Sequence, residues 1–163
     1  SFSKTLSPGL RVGWVCAAMP VISQLVLMKQ AADLHSATLN QIAVASVAEQ
    51  HFDSHIDTIR NAYRARRDAM LEALQAHMPD GVSWTKPEGG MFIWVTLPDT
   101  LDGADLLKQS LESERVAFVP GHAFFADGSG RNTLRLSYST STEGKIAEGI
   151  ERLGQLITRV LNG

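Results

Sequence analysis

Residues 1–14, SFSKTLSPGLRVGW, carry the densest chemistry in the chain. Lys4 stands among the hydroxyl side chains of Ser1, Ser3, Thr5 and Ser7, and a Pro8-Gly9 turn, Arg11 and Gly13 follow. A lysine acts as a nucleophile when its pKa is depressed or when it meets a carbonyl partner with which it forms a Schiff base. An arginine takes a phosphate through two parallel hydrogen bonds, and serine hydroxyls donate to the remaining oxygens. A lone lysine in a polar loop is ordinarily a solvated side chain. The ordered spacing of Ser1, Ser3, Lys4, Pro8, Gly9, Arg11 and Gly13 points instead to a reactive lysine beside an anion site.

Outward from this loop, residues 10–18 (LRVGWVCAA) read as a buried strand, with Cys16 a small buried hydrophobe. Pro20 is placed to open a helix in which Val21, Leu25 and Met28 keep helical spacing. A second helix is expected over about 37–50. A third is expected over about 54–77, with Ile56, Ile59, Tyr63, Met70, Leu74 and His77 on one stripe. The basic run Arg64, Arg66 and Arg67 reads as a solvated helix face ahead of an anion site. Met91, Ile93, Val95 and Leu97 alternate with Phe92, Trp94 and Thr96, a strand with two largely apolar faces. A short helix follows over 103–113, a short strand over 116–119, a Gly-rich loop over 120–132 and a strand over 133–138. Thr140 and Glu143 fit a capping box that opens a helix running to Leu161.

This order predicts an α/β chain, α+β in its C-terminal part, with helices covering one sheet. The expected division is 1–35 as the remnant of a larger domain, 36–79 as connecting helices and 80–163 as a small C-terminal domain. The chain starts at Ser1, without a methionine, directly in its densest chemistry, and so reads as a piece of a longer protein.

In the strand over 133–138, Leu134, Leu136 and Tyr138 share one face, and Thr133, Arg135 and Ser137 the other. Arg135 therefore points away from the main apolar face. An arginine there is usually an edge or solvated residue; a planar fork in that place also suits a carboxylate. Lys86–Phe92 (KPEGGMF) reads as a plain turn before a strand, and Phe124 and Phe125 read as core packing.

The 163 residues are 44% hydrophobic and 20% charged, with net charge −2. That balance, with no basic stripe, argues against nucleic acid as a partner of this segment. No apolar run approaches the roughly 20 residues of a membrane span. One cysteine excludes an internal disulfide framework. The five histidines show no ligand spacing, so no metal is expected. No signal peptide is visible, and a cytoplasmic location is the default.

SFSKTLSPGLRVGW closely resembles the lysine motif of fold-type-I aminotransferases that use pyridoxal 5′-phosphate (PLP). Asn132-Thr133-Leu134-Arg135-Leu136-Ser137-Tyr138 resembles the same family's N-x-x-R-[LI]-[SC]-[FY] motif. Less specifically, Lys86–Phe92 resembles its P-x-G-G-[MF]-[FY] stretch, whose glycines would let backbone pass close to substrate, and Val119-Pro120-Gly121 with Phe124-Phe125 resembles the segment lining its substrate side-chain pocket. The resemblance spans essentially the whole chain and implies its C-terminal portion of that fold. It implies Lys4 as the Schiff-base lysine and proton shuttle, with Ser1, Ser3 and Arg11 on the cofactor phosphate. It implies Arg135 as the clamp on the substrate α-carboxylate. Amino-acid and 2-oxo-acid substrates and a homodimer of the intact protein come with it. The wording is most like the 2-aminoadipate, kynurenine and broad-specificity aminotransferases. It also resembles the aminotransferase-like half of winged-helix transcription regulators, the alternative reading. The family's partners for the rest of the cofactor precede the lysine, so this segment alone is expected to be inactive.

Overall fold

The structure is a computed structural model that describes residues 1–163. The chain falls into two compact units, Ser1–Thr58 and Ile59–Gly163.

In the first unit, residues 1–13 form a closed loop. Phe2 N–H donates to the Val12 carbonyl at 3.0 Å, and the Leu6 and Ser7 amides both donate to the Phe2 carbonyl. Pro8–Leu10 is a single 3-10 turn that ends on Arg11 in the left-handed region, φ 53°. Helix α1 (Met19–Ala32) begins with Pro20 in its first turn, where a missing N–H breaks no helical bond. Asn40 of helix α2 (Thr38–His77) donates from Nδ2 to the Leu10 carbonyl at 3.0 Å and so ties the loop to that helix. The Phe2 ring meets Phe52 edge-on at 6.4 Å.

Three expectations fail here. Residues 11–18 form no strand, because a strand exists only with a paired neighbour and every strand of the chain lies in the other unit. Cys16 is accordingly exposed, and so are Trp14 and Val15. The two helices expected over 37–50 and 54–77 are one helix of 40 residues. Residues 51–54 (His-Phe-Asp-Ser) contain no glycine or proline to break it. The Ser54 and Thr58 hydroxyls fold back onto the carbonyls of His51 and Ser54.

The second unit is a four-stranded antiparallel sheet with helices packed on one face. Strands β1 (Ser83–Trp84), β2 (Phe92–Thr96), β3 (Val119–Pro120) and β4 (Thr133–Ser137) lie in the order β1-β2-β4-β3. Trp94 pairs with Arg135 and Val119 with Arg135, so these three side chains share a face. The opposite face carries Ile93, Val95, Leu134 and Leu136, all buried. They meet Met70 and Leu74 from the end of α2 and Ile146, Ile150, Leu153 and Ile157 from helix α4 (Glu143–Asn162). The stripe read from the sequence of α4 is thus the core stripe, whereas His77 is exposed. β1 is not legible in the sequence, and β3 overlaps the strand expected over 116–119 only at Val119.

Helix α3 (Gly103–Gln109) is capped by Asp102, whose Oδ1 accepts from the amides of Ala104 and Asp105. The chain continues through a single π-type turn, Ser110–Glu114, where the buried Ser110 hydroxyl donates to the Val116 carbonyl at 2.7 Å. The capping box expected at Thr140 and Glu143 does not form. The N-cap of α4 is Thr142, whose side chain makes no capping bond, and Glu143 is the first helical residue.

Gly154 of α4 faces the end of α2 so closely that a Cβ there would lie 2.9 Å from the carbonyl carbon of His77. Gly154→Ala should therefore destabilise this unit by about 1–3 kcal/mol, the usual range for overpacking. Thermal melting would reveal it, and an unchanged melting temperature would show that the helices separate freely.

Candidate active site

The proposed cofactor residues all lie in the loop of the first unit. Ser1 Oγ accepts from the Ser3 amide at 3.2 Å, which draws both serines to one end of the loop. Arg11 donates from Nη1 to the Pro8 carbonyl at 3.1 Å, which fixes its guanidinium against the 3-10 turn. That bond uses one of five N–H donors, and the others remain for an anion. Lys4 lies between these anchors in the sequence and is exposed. The Thr5 hydroxyl is buried without a partner, a further donor that the chain itself leaves unused. Hydroxyls, a guanidinium and an amine in one loop are a donor set suited to a phosphate ester beside a reactive carbonyl.

Arg135 belongs to the second unit, at the middle of β4. Its guanidinium carbon lies 4.0 Å from the Phe92 ring centroid and 4.6 Å from that of Phe124. Its Nε is buried without a hydrogen-bond partner. Phe124 in turn meets Trp94 at 5.5 Å, and Phe125 meets it at 6.0 Å. Phe124 and Phe125 are thus exposed members of an aromatic group on the outer sheet face, not core residues as the sequence suggested.

Gly121 places this group. It begins the 3-10 turn Gly121–Phe124, and a Cβ there would fall inside the radius of Thr133 Oγ1 and 2.9 Å from Trp94 Cζ2. Only glycine lets the turn lie so close to the sheet. Asn132 has a structural role in the arginine motif. Its Nδ2 donates to the Leu97 carbonyl and to Asp99 Oδ1, both at 2.9 Å, and so joins the ends of β2 and β4.

Of the basic run of α2, Arg64 is the solvated residue expected from the sequence, but Arg66 and Arg67 are not. Arg66 donates to the Ser139 carbonyl at 2.6 Å. Arg67 donates to the carbonyls of Pro87 and Glu88. Tyr138 donates its hydroxyl to the Gly89 carbonyl at 3.2 Å, and burial pushes that hydroxyl's pKa up. The Lys86–Phe92 stretch is therefore held along its backbone by two side chains, and Gly90 turns it at φ 88°. A cavity of about 290 Å³ opens between Gly89-Gly90 and the Arg60, Arg64 and Arg67 face. No group of three histidine, cysteine or acidic side chains gathers as a metal site would require. No helix is long and apolar enough to cross a membrane.

Residues 1–153 match the family model described as aminotransferase class I and II, and the chain belongs to that family. It is 47% identical over 161 residues to the 2-aminoadipate transaminase of Thermus thermophilus, covering 99% of this chain and 40% of that one. The solved alpha-aminoadipate aminotransferase of Thermus thermophilus, complexed with N-(5′-phosphopyridoxyl)-L-leucine, superposes with a TM-score of 0.94. The identity is 47%, over 99% of this chain and 41% of that one. An uncharacterized HTH-type transcriptional regulator of Bacillus subtilis, YisV, is 35% identical over 162 residues, covering 99% of this chain and 33% of its own. The chain spans about two-fifths of the length of the curated aminotransferase it matches.

Proposed function

We propose that the full-length protein is a PLP-dependent aminotransferase that moves an amino group between an α-amino acid and a 2-oxo acid. The observation that carries this reading is the closed loop that gathers Ser1, Ser3, Lys4 and Arg11, in a chain of the aminotransferase class I and II family. Ser1, Ser3 and Arg11 would hold the phosphate of PLP, and Lys4 its aldehyde carbon. When bound, PLP supplies an electron sink for the carbon that loses its proton. Lys4 is the base that takes the Cα proton of the substrate and returns it, a transfer suited to an exposed amine on a short, anchored loop. Arg135 takes the α-carboxylate and fixes the orientation of the substrate.

The 2-aminoadipate transaminase and the phosphopyridoxyl-leucine complex among its relatives support amino acids of that size range as substrates. A homodimer and a cytoplasmic location belong to the same proposal. The regulator relative shares less sequence than the transaminase, 35% against 47%, which favours the enzyme.

The test is an assay of the full-length protein, loaded with PLP, against aspartate, 2-aminoadipate, leucine and phenylalanine with 2-oxoglutarate as acceptor. Glutamate should form with at least one donor. PLP bound with no transfer from any of them would favour the regulator.

A further inference from the structure

The environment of Arg135 goes beyond a free arginine waiting for a carboxylate. The Arg135 side chain makes no hydrogen bond or ion pair within the chain, although the residue is half-buried on a sheet face. Its guanidinium lies over the faces of two phenyl rings, Phe92 and Phe124, and its Nε is buried. A flexible arginine loses rotamer freedom when it captures a ligand, and that loss weakens binding. Here two rings already restrict it, through the attraction of a cation to the negative ring face. With Nε buried, the terminal Nη1 and Nη2 edge is what remains for a ligand.

We propose that Phe92 and Phe124 are positioning residues that hold Arg135 in advance, so that it takes the substrate carboxylate end-on through its two Nη groups. This rests on the reading of Arg135 as the carboxylate clamp. The rings arrive by separate routes. Phe92 stands at the start of β2, diagonal to Arg135 across the β2–β4 pair. Phe124 ends the turn that Gly121 brings against Trp94 and Thr133. Trp94, paired directly with Arg135, packs edge-on against Phe124 and so holds the second ring. Neither ring belongs to the buried core, at 37% and 49% exposure, so leucine in their place should leave the fold intact.

The experiment uses the full-length, PLP-loaded protein. Phe92→Leu and Phe124→Leu should each raise KM for the amino acid about 3- to 30-fold, the span of a cation–π contact. They should raise the Kd of hexanoate, measured calorimetrically, by a similar factor, with kcat moving less than KM. Phe92→Tyr and Phe124→Tyr keep the ring face and should stay near wild type. Leucine variants with unchanged KM and hexanoate affinity would overturn the proposal, as would tyrosine variants impaired as much as leucine ones. Arg135→Lys separates the two claims: unchanged hexanoate binding in that variant rejects the carboxylate clamp itself. A third readout needs no phenylalanine variant. The Arg135 Nε–H resonance, identified by its loss in Arg135→Lys, should be shifted upfield by the two rings. A position typical of solvated arginine would reject the stacking.

Discussion

Lys4→Ala in the full-length protein is expected to lower amino-group transfer by at least about 10²–10⁴-fold, the range of a positioned acid–base group. The loop around Lys4 does not depend on its side chain. The loop is closed by Phe2 and Val12, tied to α2 by Asn40, and turned by Pro8–Leu10. The Lys4 amine makes no hydrogen bond within the chain, and the residue is exposed. Thermal stability should therefore change little while activity collapses, a pairing that a structural lysine would not produce. Lys4→Arg should fail as well, because a guanidinium stays protonated and cannot accept the Cα proton. Borohydride reduction followed by mass spectrometry gives an independent reading. The wild-type protein should acquire covalent pyridoxyl at Lys4 and the alanine variant none. Wild-type turnover in Lys4→Ala would reject the assignment of this loop.

The candidate site is legible in the sequence where its residues are near neighbours. Ser1, Ser3, Lys4 and Arg11 are near neighbours in sequence, and the structure closes that segment into one loop. The alternation of β4 also follows from period two, which puts Leu134 and Arg135 on opposite faces. What depends on distant partners was not legible. Residues 10–18 have the composition of a strand, but pairing decides whether a strand exists. The aromatic group at Arg135 comes from Phe92 and Phe124, which sequence spacing does not join. A Gly-rich loop over 120–132 hid the fact that Gly121 is there for close approach rather than for flexibility. Arg66 and Arg67 read as a charged helix face because their acceptors, the carbonyls of Ser139, Pro87 and Glu88, leave no mark in the sequence.

Leu134 and Arg135 are neighbours with opposite expected phenotypes, and this contrast gives the second large effect. Leu134 is fully buried among Ile93, Val95, Leu153 and Ile157 in the core of the second unit. Truncation to alanine removes buried apolar atoms and leaves a cavity, which destabilises by about 2.7–5 kcal/mol in comparable leucine cores. At about 1.4 kcal/mol per decade, amides of β4 should exchange with solvent about 10²- to several-thousand-fold faster wherever exchange reports opening of this unit. Arg135 lies one residue on, facing the other way, and its side chain has two ring contacts but no hydrogen bond or ion pair to lose. Arg135→Gln forfeits the contacts with the Phe92 and Phe124 rings and should cost no more than about 1–2 kcal/mol, a roughly 5- to 30-fold change in β4 exchange that stays below that of Leu134→Ala. It should nevertheless raise KM for the amino acid, since a bidentate charged fork is replaced by a neutral amide. Slow exchange retained in Leu134→Ala would mean that the inner sheet face does not hold the unit together. A comparable loss of protection in Arg135→Gln would mean that core and site are not divided by the two faces of β4.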